Sequence, residues 1–572
     1  MSLGAKRART WALSVAAAAL VAGSSGVVLR PWALLVTVAV MGGLVVAVLP
    51  RGVRWPTQLS WCGSLLLWGA ADALLRPVSL RAAAAALAVG VIAALVLLVA
   101  QDYSVRTGAH PALVLAAGVA ACWLLAERLF LGGRPGGPFA NPNLGAAVAA
   151  LGLAVVPGLA VPLGARLAVA AVLVGGVVAS GSRAAMLAVL GVGLAWGFKR
   201  GGRAPRWGVA LLACTAAAGL ALRVATDRDP LRYERLRIWG VAVRTTVAEL
   251  PLGAGPGGYY DAALAHNFPR SGEFARYHRV AGLAENDLLQ LAATLGIPGL
   301  LLGLGLVFVT ARVLARRGPL GWGVGTVLAV LTLFHSHLAF PAVAWPAALA
   351  VAGCGRPLPG RRFRLERGAS LAAAAALLLP VAVALGVGGE GPLAPGALPP
   401  AVRLTGHAMR SDAALADAEA VLWGACAARP RAAHLWRALG TVQLQRGELR
   451  NDPDLVAAAL HAFARASAAN PTDALAAFGA ARAQRLLGNQ SAAFEALSRA
   501  VSLEPNFVSA WLEMARGHVE RGDLPGAARA LRRAEHGLAL ARASRFVSDY
   551  ERALAAADPA LLRWLRETAR GS

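Results

Sequence analysis

Long apolar runs separated by short arginine-bearing loops dominate the first 389 residues, and they leave this chain few folds to choose from. A bilayer-crossing helix needs roughly 20 apolar residues, within a range of about 17–25. In lipid the backbone must satisfy its own hydrogen bonds, so such runs read as helices. Candidate spans are Trp11–Leu29, Trp32–Leu49, Leu59–Leu75, Ala82–Ala100, Pro111–Ala126, Leu144–Ala160, the shorter Leu167–Ala179 and Met186–Phe198, then Trp207–Leu222, Leu288–Val309, Leu320–Phe334, Phe340–Val351 and Ser370–Val387. The first lacks a clear cleavage site and is followed at once by another run, so it reads as a retained helix rather than a signal peptide. Composition agrees: 57% of the 572 residues are hydrophobic and 15% charged, where a soluble chain carries about a quarter charged.

Charge then orients the bundle. With the N-terminus inside, the inner segments hold 19 Lys and Arg and the short outer loops six, the bias expected of cytoplasmic loops. This places outside both a long loop from about 224 to 286 and everything after Gly388. The formal net charge of +26 would by itself suggest nucleic acid. Here many arginines flank spans, and there is no Lys/Arg ladder interleaved with aromatics, so nucleic-acid binding is discarded.

After residue 389 the composition changes. Only 12 of the 30 acidic residues lie before residue 390, and residues 400–572 are rich in Ala, Arg and Leu at helical spacing. Pro471 and Pro505, Gly488 and Gly522, Ala493 and Ala527, Ala500 and Ala534, and Ala477 and Trp511 are each 34 residues apart. Upstream, Trp436-x2-Leu439-Gly440 leads through Ala459, Phe463 and Ala466 to Pro471, with a seven-residue insertion around Asn451-Asp452-Pro453 expected to separate two helices. This period and these small residues resemble the TPR pattern, in which stacked helix pairs bind a peptide or a protein partner. Pro430 suggests a degenerate earlier repeat, and Ala541–Thr568 a capping helix. The fold class expected is therefore all-α: a polytopic bundle of about 12–13 spans over 1–389, then a helical solenoid over 400–572.

The residues that could carry chemistry are few. The spans contain almost no acid, which disfavours ion-coupled transport. Cys62, Cys122, Cys214 and Cys354 fall in or beside spans, leaving Cys426 alone in the C-terminal region; no CxxC or metal-ligand cluster exists. Arg183, in Ser180-Gly181-Ser182-Arg183, sits between two short spans at the outer boundary. A guanidinium at that depth either snorkels to headgroups or holds an anion, and its planar fork suits phosphate. In the outer loop, Arg232 to about Glu249 reads as a helix carrying Arg237 and Arg244 on one face. Pro251-Leu-Gly-Ala-Gly-Pro-Gly-Gly258 then breaks it, without the Lys-Ser/Thr of a phosphate-binding loop. His266 and His278 follow.

Glu285-Asn286, nine residues, then Gly296-Ile-Pro-Gly299 resembles the His-(Asn/Ser/Gln)-x9-Gly-x-x-Gly signature of the O-antigen ligase and Wzy-type polymerase superfamily, except at its first residue. Phe139-Ala-Asn141-Pro142-Asn143, Ser182-Arg183, Arg237-Ile-Trp239 and Pro251-Leu-Gly253-Ala-Gly255 resemble further landmarks of that family in the same order, over roughly residues 1–360. Some members also carry C-terminal TPRs.

The resemblance implies a glycosyltransferase-C-like bundle in a bacterial inner membrane, multi-pass, with a cytoplasmic N-terminus and a periplasmic TPR domain. It implies metal-independent, inverting transfer of a glycan from an undecaprenyl-pyrophosphate donor to an acceptor glycan or lipid, without a cofactor. Polymerase is favoured over ligase because a TPR arm, with a protein partner bound to it, suits an export machine. Carried over by position, Arg183 and Arg237 would grip the pyrophosphate, Asn286 would touch substrate or cap a helix, and Glu285 would be the base. A carboxylate can do this if desolvation raises its pKa; otherwise His266 or His278 supplies the base. The alternative function is a non-catalytic membrane scaffold or transporter-like relative. Asn141 and Asn143 are expected to cap a span.

Overall fold

The structure, a computed structural model, describes residues 24–25, 28–29, 31–75, 80–132, 135–139, 141–199, 214, 218, 234–336, 340–354, 360–375, 411–546 and 548–570. It divides into two compact units. One holds residues 1–259 and 283–394; the other holds 260–282 and 395–572. The outer loop expected over 224–286 is thus shared between them.

The first unit is built of α1 (Pro31–Val48), α2 (Thr57–Leu75), α3 (Leu80–Val99), α4 (Tyr103–Phe130), α5 (Pro142–Val155), α6 (Leu163–Ser180), α7 (Arg183–Lys199), α8 (Glu234–Ala248), α9 (Tyr259–Leu264, which straddles the division), α10 (Asp287–Ala315), α11 (Gly318–Phe334) and α12 (Pro341–Gly353). Among the described residues, Val105–Phe130, Leu163–Ser180 and Asp287–Ala315 are long and apolar enough to cross a membrane, and shorter apolar helices accompany them. Helix α5 is buried from Leu144 through Val155, as expected of a helix apolar all round. It starts where the sequence says it should: Asn141 Oδ1 accepts the Asn143 N–H at 3.0 Å and Pro142 fills the first helical position. Around it pack α4, α6, α7, α11 and α12. Glycine makes the closest approaches possible, since a Cβ on Gly152 would lie 2.3 Å from Ala117 Cβ and one on Gly176 2.5 Å from Ala121 Cβ, the small-residue contact typical of helices packed in lipid.

One expectation changes. The end of the Trp11–Leu29 span is not helical where described: β1 (Ser24–Ser25) pairs antiparallel with β2 (Val28–Leu29). The rest of that span, Trp207–Leu222 apart from residues 214 and 218, and Ser370–Val387 beyond residue 375 lie outside the described residues. A second antiparallel pair, β3 (Val53–Pro56) with β4 (Gly360–Phe363), joins two basic loops that the charge bias assigns to the same inner face.

The second unit contains α13 (Asp412–Ala428), α14 (Ala433–Arg450), α15 (Pro453–Ala469), α16 (Ala474–Leu486), α17 (Gln490–Leu503), α18 (Val508–Glu520), α19 (Leu524–Ala543), α20 (Asp549–Ala555) and α21 (Pro559–Arg570). Each helix from α13 to α19 packs on the next. Gly488 and Gly522, 34 residues apart, both turn the chain with positive φ, at 82° and 74°. Phe463 is wedged between glycines, and a Cβ on Gly479 would lie 2.4 Å from its ring. The extra residues around Asn451 do not form a loop. Helix α14 runs to Arg450 with Asn451 as its left-handed cap, and Asp452 caps α15, whose first residue is Pro453. The insertion lengthens both helices instead: 18 and 17 residues, against 13 and 14 for α16 and α17. The single capping helix expected over Ala541–Thr568 is broken by the capping box of Ser548 and Glu551 into the end of α19, α20 and α21.

Candidate functional site

Within the first unit the sequence motifs meet around a break in α10. Gly296 takes φ 65°, ψ −158° inside the helix, and Pro298 has no N–H to give to the Thr294 carbonyl. The loop after α8 supplies what the broken helix lacks. Ala254 N–H donates to Ala293 O and Gly255 N–H to Thr294 O, both at 2.8 Å, while Ile297 N–H donates to Pro251 O at 2.9 Å. Trp68 Nε1 takes the Leu295 carbonyl at 3.0 Å. Side chains would prevent this. A Cβ on Gly253 would lie 2.5 Å from Gly296 N, and one on Gly296 2.1 Å from Pro251 O. The Pro-Leu-Gly-Ala-Gly and Gly-Ile-Pro-Gly motifs are therefore two halves of one backbone joint, which explains the glycines without any phosphate.

This joint ties α8 to α10, and the chain just before α10 carries Glu285. Asn286 is the N-cap: its Oδ1 accepts the Leu288 and Leu289 N–H groups at 3.0 Å. Its own N–H donates to Ser336 Oγ at 3.2 Å and its Nδ2 to Leu333 O at 3.0 Å. Asn286 thus locks the start of α10 to the end of α11 through backbone and cap contacts. Glu285 sits at φ 52°, a left-handed conformation that costs a non-glycine residue on the order of 1–2 kcal/mol. Such strain persists where the surroundings over-determine it, and it concentrates at functional positions. Trp239 Nε1 donates to the strained residue's carbonyl at 3.3 Å, and its ring lies 6.5 Å from that of Phe334.

The Glu285 side chain points to His335, at the end of α11, with Oε2 2.7 Å from Nδ1. The histidine side chain is 5% exposed and the glutamate 25%, so the carboxylate is the member of the pair that an incoming group can reach. Burial pushes the Glu285 carboxyl upward, but the His335 hydrogen bond and charge, with Arg235 beyond, hold it below its ordinary value. That corrects the expectation of a raised pKa: desolvation is present, and the cationic surroundings outweigh it.

Arg235 lies within electrostatic reach of this carboxylate, and Arg183 within reach of Arg235. Arg183 is the first residue of α7, half-buried, after a turn in which Gly181 is left-handed and Ser182 N–H donates to Ser180 Oγ. Arg235 lies in the first turn of α8. Burial lowers its pKa, the Glu285 charge raises it, and the like charge of Arg183 lowers it again. The two like charges therefore lie close enough to influence one another. Arg237 is exposed, two residues along a helix whose neighbours on one face are three or four apart. That spacing puts Arg235, not Arg237, on the face of Trp239. Tyr259 completes the group: 2% exposed, with its hydroxyl lacking a hydrogen-bond partner among the described residues, and with its pKa raised by burial and by the charge of Glu285.

His266 and His278 lie in the second unit. There His278 Nδ1 meets the Ala275 carbonyl at 2.9 Å and Nε2 meets Glu273 at 3.0 Å. Sequence reasoning missed His335, Arg235 and Tyr259. A usable signal existed for two of them: a histidine closing an apolar span is a default functional candidate, and Arg235 is four residues before Trp239.

Fold and site together define a helical membrane protein with a carboxylate–histidine pair and an arginine pair gathered at helix ends. Residues 168–304, the stretch carrying Arg183, Arg235, the backbone joint and Glu285, match the family described as O-Antigen ligase. No curated protein matches the chain.

Proposed function

We propose that this protein transfers a glycan from an undecaprenyl-pyrophosphate carrier to an acceptor hydroxyl of a glycan or lipid, on the outer face of the inner membrane. The observation that carries the reading is the Glu285–His335 pair with the charge of Arg235 acting on the carboxylate and that of Arg183 acting on Arg235, all but His335 lying within residues 168–304. Two guanidiniums within reach of one another repel, and an anion between them relieves that repulsion. Pyrophosphate fits their fork geometry and charge, and the α7 N-terminus adds a favourable dipole.

The acceptor oxygen attacks the anomeric carbon, the bond from that carbon to the pyrophosphate oxygen breaks, and the configuration inverts. The acceptor proton passes to the Glu285 carboxylate, which His335 orients from behind. The arginines take up the charge developing on the leaving pyrophosphate, the role a metal ion fills in other phosphoryl-leaving reactions. The buried Tyr259 hydroxyl is positioned to donate to the substrate. The paired inner-face loops of β3 and β4 support the topology that puts the site and residues 400–572 in the periplasm.

The test is donor binding and transfer with purified protein and an undecaprenyl-pyrophosphate glycan. Arg183→Ala and Arg235→Ala are expected to weaken donor binding and abolish transfer. Unchanged binding and transfer in both variants would overturn the assignment.

A further inference from the structure

The second unit contains a peptide site that is already filled. Glu504 is fully buried, and its carboxylate accepts two consecutive main-chain N–H groups: Arg276 at 2.7 Å to Oε2 and Tyr277 at 2.9 Å to Oε1. The Tyr550 hydroxyl donates to Oε1 at 3.2 Å. Asn506 Nδ2 reads the Phe274 carbonyl at 2.8 Å. The Phe274 ring packs into the apolar core of the helical repeats, 5.1 Å from that of Phe546. Farther along, Asp261 pairs with Arg429 at 3.0 Å. The contacts read two amides, a carbonyl and one aromatic side chain, which is how a site recognises a peptide in a fixed conformation.

The repeat before it does not share this site. The positions 34 residues earlier are Asn470 and Thr472, and there Thr472 N–H and Oγ1 both bond Asn470 Oδ1 in a local turn. Glu504 and Asn506 depart from that arrangement where the loop docks. A buried carboxylate without donors is costly, so the repeat holds the loop and the loop completes the repeat.

We infer that the C-terminal repeat domain is a built-in clamp whose ligand is the outer loop of its own chain, gripped by the main chain of Phe274–Tyr277, rather than a free arm awaiting a partner. The clamped segment, 260–282, is joined directly to Tyr259 at one end and to Leu283-Ala284-Glu285 at the other. Holding it restricts how far those residues can move, so the repeat domain acts as a positioning element for the proposed site. This consequence rests on the glycan-transfer reading; the clamp itself does not.

Hydrogen exchange on the full-length protein separates the two. In Glu504→Ala, and in the milder Asn506→Ala, exchange at Phe274–Tyr277 is expected to rise by about 10–100-fold, the factor that hydrogen bonds to a charged group are worth. Asn470→Ala and Thr472→Ala should leave it unchanged. Unaltered protection in both clamp variants would overturn the inference, as would protection equally lost in the control variants. Transfer measured alongside should fall with an increased KM for the acceptor. A released loop with wild-type transfer would refute the positioning role. A wild-type protein inactive in transfer would instead condemn the functional reading, leaving the exchange result to judge the clamp.

Discussion

Replacing Gly296 by Ala attacks the joint on which the site is built, and its cost can be worked from distances. The new Cβ would lie 2.1 Å from Pro251 O and 2.4 Å from Leu252 C, both backbone atoms. Reaching even a 3.0 Å separation requires the loop to retreat by about 0.9 Å. Backbone bonds now at 2.8–2.9 Å then stretch to about 3.7 Å, beyond useful range. Losing three at roughly 1 kcal/mol each, plus about 1–3 kcal/mol for an alanine held at φ 65°, ψ −158°, a region nearly reserved for glycine, totals roughly 4–6 kcal/mol. Gly318→Ala is the control: φ is 66° there, but nothing lies within 4 Å of a new Cβ, so only the conformational cost of about 1–2 kcal/mol applies. Thermal unfolding in detergent and glycan transfer in membranes should separate the two variants, with Gly296→Ala strongly destabilised and inactive and Gly318→Ala mildly destabilised and active. Equal stability and activity in both would show that α10 accommodates the Cβ, and the joint as described would be wrong.

Other expectations follow from the same geometry. Arg183→Lys should lose nearly as much transfer as Arg183→Ala, because a point charge cannot make the bidentate contact; full activity of the lysine variant would show that charge alone suffices. His335→Gln should lower kcat with donor affinity retained, whereas loss of donor binding would make His335 a structural residue. Tyr259→Phe should cost little stability, since its hydroxyl has no hydrogen-bond partner among the described residues, yet should reduce transfer; an active variant would remove Tyr259 from the site. The Glu285 pKa is held down, so its pairing stabilises the fold fully above the ordinary value of about 4.3 and is lost only as pH falls through the lower folded value. Transfer should keep the same acid limb, below about pH 4.3, and Glu285→His should move that limb up toward about 6.5; an unmoved limb would deny Glu285 the role of base. A C-terminal alkaline phosphatase fusion should be active, and an inactive one paired with a working cytoplasmic reporter would reverse the topology.

What could be seen in the sequence and what could not divides along physical lines. Apolar runs and caps are local, so α5 beginning after Asn141 and α8 filling most of Arg232–Glu249 were legible from residue types alone. The glycine motifs were visible as motifs, but their meaning was not, because the bonds that make the joint connect residues 39 to 46 positions apart. Distance along the chain likewise hid His335, which meets Glu285 from 50 positions further on. Arg237 stands in the motif while Arg235 shares the face of Trp239, and a motif does not say which helix face a residue occupies. Extra residues near Asn451 suggested a loop, but Asp452 and Pro453 start a helix so effectively that the surplus entered the helices. Nothing periodic in residues 260–282 could announce that they pair with Glu504, since the contact is made to the backbone.

The most direct test of the central claim is single-turnover transfer by Glu285→Gln, using purified protein, an undecaprenyl-pyrophosphate glycan and a hydroxyl acceptor. Glutamine keeps the size and polarity but cannot take the proton, so the rate should fall by about 10²–10⁴-fold with donor binding intact. Wild-type turnover by this variant would contradict the account and take the role of base away from Glu285.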